Sequence, residues 1–339
     1  MYTAFLQPLL LDMFRDYPPV VAYSLRRLTA TALKAIRVRS TGTKTGNVTN
    51  TSATIASVTT TGLLVGNYVS GTGIQADSKI LSIDSGASTI TLDKTATASN
   101  NGVTLTFERD IGFSHKFLDL ADLLSFCGTN SGFVVTWYDQ SKNGNNVTQA
   151  TTSRQPRIVN AGVVDVNTNG IPSMLGISAN DTLLSCPYNS SFDISTNMTL
   201  IALHDPISTG GGGLGRIVSK NDTTDYGFYV GSAGVMRMSA TTNSVSTAYA
   251  LATTNLSSAV VTGNSTADFY YQGASAGQDT IIQATAIGNN SLNLFNRSII
   301  ARGYDGYLNE VIILPYALPL HILTKATRNI CRFNKVVMA

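Results

Sequence analysis

TWYDQSKNGNNVTQA, Thr136 to Ala150, is the stretch on which the fold turns. It holds Trp137, the one tryptophan of the 339-residue chain. Asp139, Ser141, Asn143 and Gly144 stand at the spacing that opens a calcium loop, where alternate residues ligate and a glycine makes the sharp turn. Helices on both sides would make the stretch a helical calcium module; strands would make it a hairpin. The closing bidentate acid of such a loop falls on Ala150. Phe133–Tyr138 is aromatic and β-branched, as strands prefer. The hairpin is therefore the better reading. Asp139 caps an Asx-type turn, and Asn143-Gly144 supplies positive φ. Calcium on Asp139, Ser141 and Asn143 stays as the weaker alternative, and no other cofactor is expected.

Composition points the same way. Charged residues are 13% of the chain, about half the usual share. The only glutamates are Glu108 and Glu310, while Ser, Thr, Asn and Gly abound. So few helix formers and so many turn residues predict an all-β protein. Low charge also suits an extracellular or virion surface. The net charge is +3, and the basic residues Arg26, Arg27, Lys34, Arg37 and Arg39 are not interleaved with aromatics. No nucleic-acid partner is expected. Cys127, Cys186 and Cys331 form no CxxC pair, so neither a zinc site nor a disulfide framework is supported, and all three read as buried small residues. No secretory signal is evident. The longest apolar run, from Val311 to Leu323, is broken by two prolines and too short to span a membrane.

Along the chain, residues 1–40 read as a helical segment followed by the first strand of a sandwich. Phe5, Leu6, Leu9, Leu10, Met13 and Phe14 share one helix face, Pro18-Pro19 ends it, and Ser24–Ala35 is expected to form a second short helix. Residues 41–107 are almost wholly Thr, Ser, Gly, Val, Ile, Ala and Asn in short alternating runs, which predicts a small inserted β module. Its only aromatics are Tyr68 and Phe107, so its own core is thin. Residues 108–339 carry a helix-like run at Lys116–Cys127. Many short strands follow, with turn signals about every 8–12 residues, and Leu320–Arg332 forms a closing helix. The thin insert core and the apolar start both ask for a neighbour, which predicts a homo-oligomer, with a trimer as one form.

RIVSKNDTTDYGFYVGSAGVMRM (216–238), AVVTGNSTADFYYQG (259–273) and GYLNEVIILPYALP (306–319) together resemble a laminin-G-like, concanavalin-A-like jelly-roll sandwich. AYSLRRL (22–28), IRVR (36–39), DIGF (110–113) and the segment from Thr136 to Val159 are similar to the arabinofuranosidase-B catalytic domain. They are closer still to tailed-phage virion proteins built on that sandwich. Trp137, Asp139, Gly144, Gln155 and Pro156 carry this signature. The 69–97 stretch resembles a small β module of phage tail and head-surface proteins. The resemblance implies a virion structural or display protein, tail- or fibre-associated, assembled in the bacterial host cytoplasm. Its partners would be other virion proteins, its own copies and host-surface polysaccharide. A capsid decoration or head-fibre role is the first alternative.

An arabinofuranosidase-like glycosidase is the second alternative. A retaining glycosidase needs two carboxyls ~5 Å apart. The resemblance places a nucleophilic glutamate beside paired cysteines, yet the matching region, roughly Leu203 to Thr224, has neither. Asp205, Asp222 and Asp225 sit in loop-like sequence. Asp305 lies near the place of the acid/base residue, but its flanks do not match, so neither role is carried over and the chain is expected not to be an enzyme. Glu310 is expected to face solvent or to pair with an arginine such as Arg302. Jelly-roll lectins bind sugars through an aromatic platform and a few amides, which makes Tyr138, Asn145 and Asn146 the glycan-binding candidates. Strand alternation turns Trp137 to the opposite face, toward the core.

Overall fold

The computed structural model describes residues 8–220, 225–231, 235–239, 243–263, 265–280, 288–299 and 301–338. Two antiparallel sheets share one core, an all-β sandwich. The first is built around strand Gly306–Leu314. One edge of it pairs with Met198–Pro206, the other with Val21–Ser24 and Met174–Gly176. Beyond Met198–Pro206 lie Asn255–Thr262, Thr266–Tyr271 and Ala274–Thr280. The second sheet runs from Asn100–Ser114 through Lys34–Ser40 to Gly132–Trp137. It continues through Val147–Thr148, Leu184–Cys186, Leu292–Leu294, Arg216–Ser219 and Gly227–Gly231. Strand Arg157–Asn160 pairs with Gly132–Trp137 and with Met174–Gly176, which laces the two sheets at one corner.

The period of two along a strand sorts the apolar residues. Leu200, Ala202, Val311 and Ile313 enter the sandwich core with Trp137, Phe228 and Leu292. Their neighbours Ile201, Leu203, Ile312 and Leu314 point the other way, into a second apolar layer. That layer is covered by helix α2, Leu320–Asn334, through Leu323, Ala326, Ile330 and Cys331, a helical stripe. Burial on both faces is why Met198–Pro206 has no exposed residue. Each Leu or Ile so buried contributes roughly 1.5–3 kcal/mol.

The N-terminal reading changes in detail. Residues 1–7, the first half of the expected helix, lie outside the described residues. Leu10–Phe14 forms a single 3-10 turn, and its Leu10 and Phe14 pack under α2, on the chain's own sandwich. Ser24–Ala35 is not a helix. Ser24 ends a strand, and Lys34 and Ala35 begin the next. The intervening turns are held by Arg27, which donates to the carbonyls of Ala30 and Ala32 at 2.7 and 3.0 Å. Helix α1 spans Leu120–Cys127.

After Ser40 the chain leaves the sandwich. Strands Lys44–Val48, Thr54–Ala56, Tyr68–Ser70, Ser78–Asp84 and Thr89–Leu92 pair among themselves and with the first half of Asn100–Ser114. That 15-residue strand then continues into the sandwich beside Lys34–Ser40. The thin core of 41–107 is completed by this continuity: Val48, Ile55, Ile80, Ile90, Leu105 and Phe107 belong to the sandwich cluster itself.

Candidate functional site

The quoted stretch is a strand, a polar loop and a second strand: Gly132–Trp137 pairs with Val147–Thr148. Trp137 is fully buried beside Tyr23, with ring centroids 5.5 Å apart. The Asp139 carboxyl faces inward. It accepts from the backbone N–H groups of Ala22 at 2.9 Å, Ser141 at 2.9 Å and Asn145 at 3.1 Å, and from Ser141 Oγ at 2.6 Å. Burial pushes this carboxyl up, against the hydrogen bonds that pull it down. Lys142 and Gly144 take the positive φ that the turn requires. Ser141 and Asn143 bond the carbonyls of Pro19 and Val20, so the hairpin is stitched to the N-terminal strand. Among the described residues no cluster of His, Cys, Asp and Glu is arranged to hold a metal.

The three glycan-binding candidates separate. Asn146 Oδ1 accepts from Asp139 N within the loop. Asn145 is 3% exposed, and its carbonyl accepts the Tyr23 hydroxyl. Tyr138 turns outward, but its hydroxyl donates to Asp110 at 2.6 Å. Asp110 also accepts from Lys34 at 2.6 Å, Arg37 at 3.0 Å and Tyr68 at 3.0 Å. Burial pushes the Asp110 carboxyl up, yet these donors outweigh it and hold it down at about 2. Because Tyr68 lies on Tyr68–Ser70, this node ties that strand to Lys34–Ser40, Asn100–Ser114 and the residue after Gly132–Trp137. Of the signature residues, Gln155 bonds Arg39 and the Gln149 carbonyl, and the Pro156 carbonyl accepts from Val134. These residues hold strands together.

A second arrangement of side chains forms at the same end of the sandwich. The start of Val147–Thr148, the end of Leu184–Cys186, the end of Arg216–Ser219 and the start of Leu292–Leu294 are neighbours by register. Their loops therefore converge. Asn145 reaches Ser191 and Asn189, which ties the quoted hairpin to the turn that carries Asp193. Lys220, fully buried, follows Arg216–Ser219. Its ammonium lies 2.6 Å from Asp193 Oδ1 and 3.7 Å from Asp225 Oδ1. An uncompensated buried ammonium would be strongly unfavourable, so this lysine requires its two anions.

The two aspartates differ. Asp225 is almost closed to solvent, while Asp193 keeps 27% of its side chain exposed. Asp225 Oδ2 accepts from Asn290 at 2.9 Å. Asp193 Oδ2 accepts from the hydroxyl of Tyr188 at 2.7 Å. Burial works against its charge, but Lys220 and Tyr188 hold the Asp193 carboxyl below its usual range. Tyr188 is 38% exposed, an aromatic face at the mouth of the cluster. Tyr226 lies beneath; burial and then Asp225 push its phenol up, and its hydroxyl has no partner among the described residues. Two carboxylates and one ammonium leave the site net negative, with an ionised group at the rim.

Sequence reasoning noted Asp225 as a loop aspartate and missed Asp193, Lys220 and Tyr188. Asp222 lies outside the described residues. Asp205 is elsewhere, 1% exposed and bonded to Thr168 and Thr254. Asp305 accepts from Ser208 at 2.9 Å. Glu310 does not face solvent or meet Arg302. It is bound by Arg26 at 2.7 and 2.9 Å, and Arg302 instead donates to the Gly212 carbonyl.

No family model and no curated protein matches the chain. Solved structures do. One is an arabinofuranosidase complexed with arabinofuranosyl-alpha-1,2-xylobiose: TM-score 0.54, 12% identity, covering 95% of this chain and 64% of that one. A GH54 α-L-arabinofuranosidase soaked with a cyclic sulfate inhibitor matches with the same figures. The binding domain of Paraclostridial Mosquitocidal Protein 1 matches 56% of the chain at 13% identity, with a TM-score of 0.43. At such identity the enzymes show the fold, a β-sandwich followed along nearly the whole chain. The chain spans less than two thirds of their length. The comparison corrects one expectation. The chain was expected not to be an enzyme because its central region lacks a glutamate. The scaffold it follows over 95% of its length is that of two arabinofuranosidase structures, and Asp193, absent from that reasoning, meets Asp225 at Lys220.

Proposed function

We propose that the chain is a glycan-directed sandwich whose loop end hydrolyses a glycosidic bond, with Asp193 and Asp225 as the carboxyl pair and Tyr188 as the sugar platform. One observation carries the reading: both carboxylates approach the same ammonium, at 2.6 and 3.7 Å. That puts their nearest oxygens within about 6 Å, and retaining glycosidases set the two groups ~5 Å apart. Asp193, ionised and partly exposed, is the nucleophile toward the anomeric carbon. The leaving oxygen takes a proton from the Lys220–Asp225 pair. Water then releases the sugar from Asp193 and returns a proton to that pair, so atoms and protons balance. The sandwich shared with the arabinofuranosidases makes an arabinofuranoside the first substrate to offer.

The test is release of chromophore or reducing ends from a panel of nitrophenyl arabinofuranosides and bacterial surface polysaccharides. Asp193→Asn and Asp225→Asn are each expected to lower kcat/KM by roughly 10²–10⁴-fold. No turnover on any glycan, or turnover unchanged in both variants, overturns the assignment.

The location proposed is a phage particle surface, on the strength of the sequence resemblance of residues 22–28, 36–39, 69–97, 110–113 and 136–159. There the chain would join other virion proteins and its own copies, as a trimer or another homo-oligomer, and face host-surface polysaccharide. Mass spectrometry of purified particles is expected to find it at many copies; its absence from particles contradicts this location.

A further inference from the structure

Where the inserted strands leave the sandwich there is a cavity of about 260 Å³. Its walls come from separate parts of the chain: the crossing at Thr43 and Lys44, the turn that holds Asn67, and the C-terminal turn of α1 with Ser125 and Phe126. Phe107 and Phe126, 2% and 7% exposed, give it apolar surface. Asn67 is fully buried. Its carbonyl oxygen accepts from Arg109 Nη1 at 3.0 Å, but its amide nitrogen meets no acceptor among the described residues. A buried donor left unmet is costly, so such a group marks a place where an acceptor belongs. Around it the lining is hydroxyl, amide and backbone. Among the described residues no carboxylate lines the cavity, and Lys44 is its one cation.

Those features define a ligand. It must offer several hydroxyl oxygens that both accept and donate, present a C–H surface to the two phenyl rings, and be small. Drug-sized sites run to ~300–1,000 Å³, so this one takes a single ring and no chain. We propose that the junction cavity binds one neutral sugar ring, a pentose or hexose, independently of the Asp193 end. The site binds without reacting. Burial pushes the Cys127 thiol, which also lines it, up to about 12, so no thiolate nucleophile is present at neutral pH. Because the ligand touches both the inserted module and the sandwich, occupancy tightens the junction.

The experiment is saturation-transfer NMR and thermal unfolding of the full chain with L-arabinose, D-xylose, D-galactose and D-glucuronate. At least one neutral sugar is expected to bind saturably and to raise the unfolding midpoint. Ser125 and Thr61 are exposed and line the cavity from separate parts of the chain. Ser125→Trp and, independently, Thr61→Trp fill the cavity from the rim and are each expected to weaken binding at least ten-fold. Asn67→Leu is expected to do the same by removing the donor, and Asp193→Asn to leave binding unchanged. Binding by glucuronate alone, no saturable binding by any neutral sugar, or affinity retained with the cavity filled would overturn the proposal.

Discussion

Replacing Arg26 by methionine tests the packing account at a buried charge pair. The guanidinium binds Glu310 in a fork at 2.7 and 2.9 Å, with the side chains 7% and 2% exposed. Its third donor reaches Asn329 Oδ1 at 2.8 Å, and its face lies 4.6 Å from the Phe333 ring. The pair therefore joins the first strand, the central strand Gly306–Leu314 and α2. Methionine keeps much of the volume and removes the charge, leaving the Glu310 carboxylate with the hydroxyl of Ser24 at 2.9 Å. Stranding one member of a buried pair costs about 3–5 kcal/mol, a large fraction of a total stability on the order of 5–15 kcal/mol. The double variant Arg26→Met/Glu310→Leu removes both charges and is expected to recover most of that loss. Urea titration followed by the fluorescence of Trp137 measures both. A single variant that costs less than about 1 kcal/mol, or a double variant no more stable than the single, refutes the reasoning.

Three further outcomes follow from the same geometry. Trp137→Ala is expected to destabilise by about 3–5 kcal/mol. Trp137→Phe should cost much less, because the indole N–H has no partner among the described residues to lose; denaturation midpoints decide. His204 is fully enclosed, and burial holds its imidazole down at about 3. The unfolded chain takes up that proton near pH 6.5 and the folded chain does not. Stability is thus fully present above about pH 6.5 and is lost as pH falls toward 3, and His204→Gln should flatten that limb of the stability profile. Asp139→Ala removes the acceptor of four hydrogen bonds and is expected to cost about 2–3 kcal/mol. Millimolar calcium should leave the wild-type unfolding midpoint unmoved, and a calcium-dependent rise would restore the metal reading of the loop.

The parts of the fold legible in the sequence are those set by local period. Turn signals marked out the short strands of the sandwich, turn chemistry marked out the hairpin at Asp139, and α2 matches the closing helix expected over Leu320–Arg332. Ser24–Ala35 misled because its mixture of apolar and basic residues fits a helix face. In the structure Arg26 is used 284 positions away and Arg27 holds the local turns. The candidate site was the least legible. Lys220 meets Asp193 across 27 positions, and no spacing along the chain announces it. The meeting depends on the order of strands Leu184–Cys186, Leu292–Leu294 and Arg216–Ser219, which is a property of the sheet. The same holds for Asn145. Its amide suits a sugar, but its neighbours Tyr23 and Asn189 take it into the core.

The central claim is that Asp193 attacks an anomeric carbon. An activated glycoside with a slow second step, added to the full chain and followed by intact-mass and peptide mass spectrometry, tests it most directly. The account predicts a mass gain of one glycosyl group on the peptide containing Asp193, absent in Asp193→Asn. Turnover with the adduct on another residue, or an adduct that persists in Asp193→Asn, would contradict it.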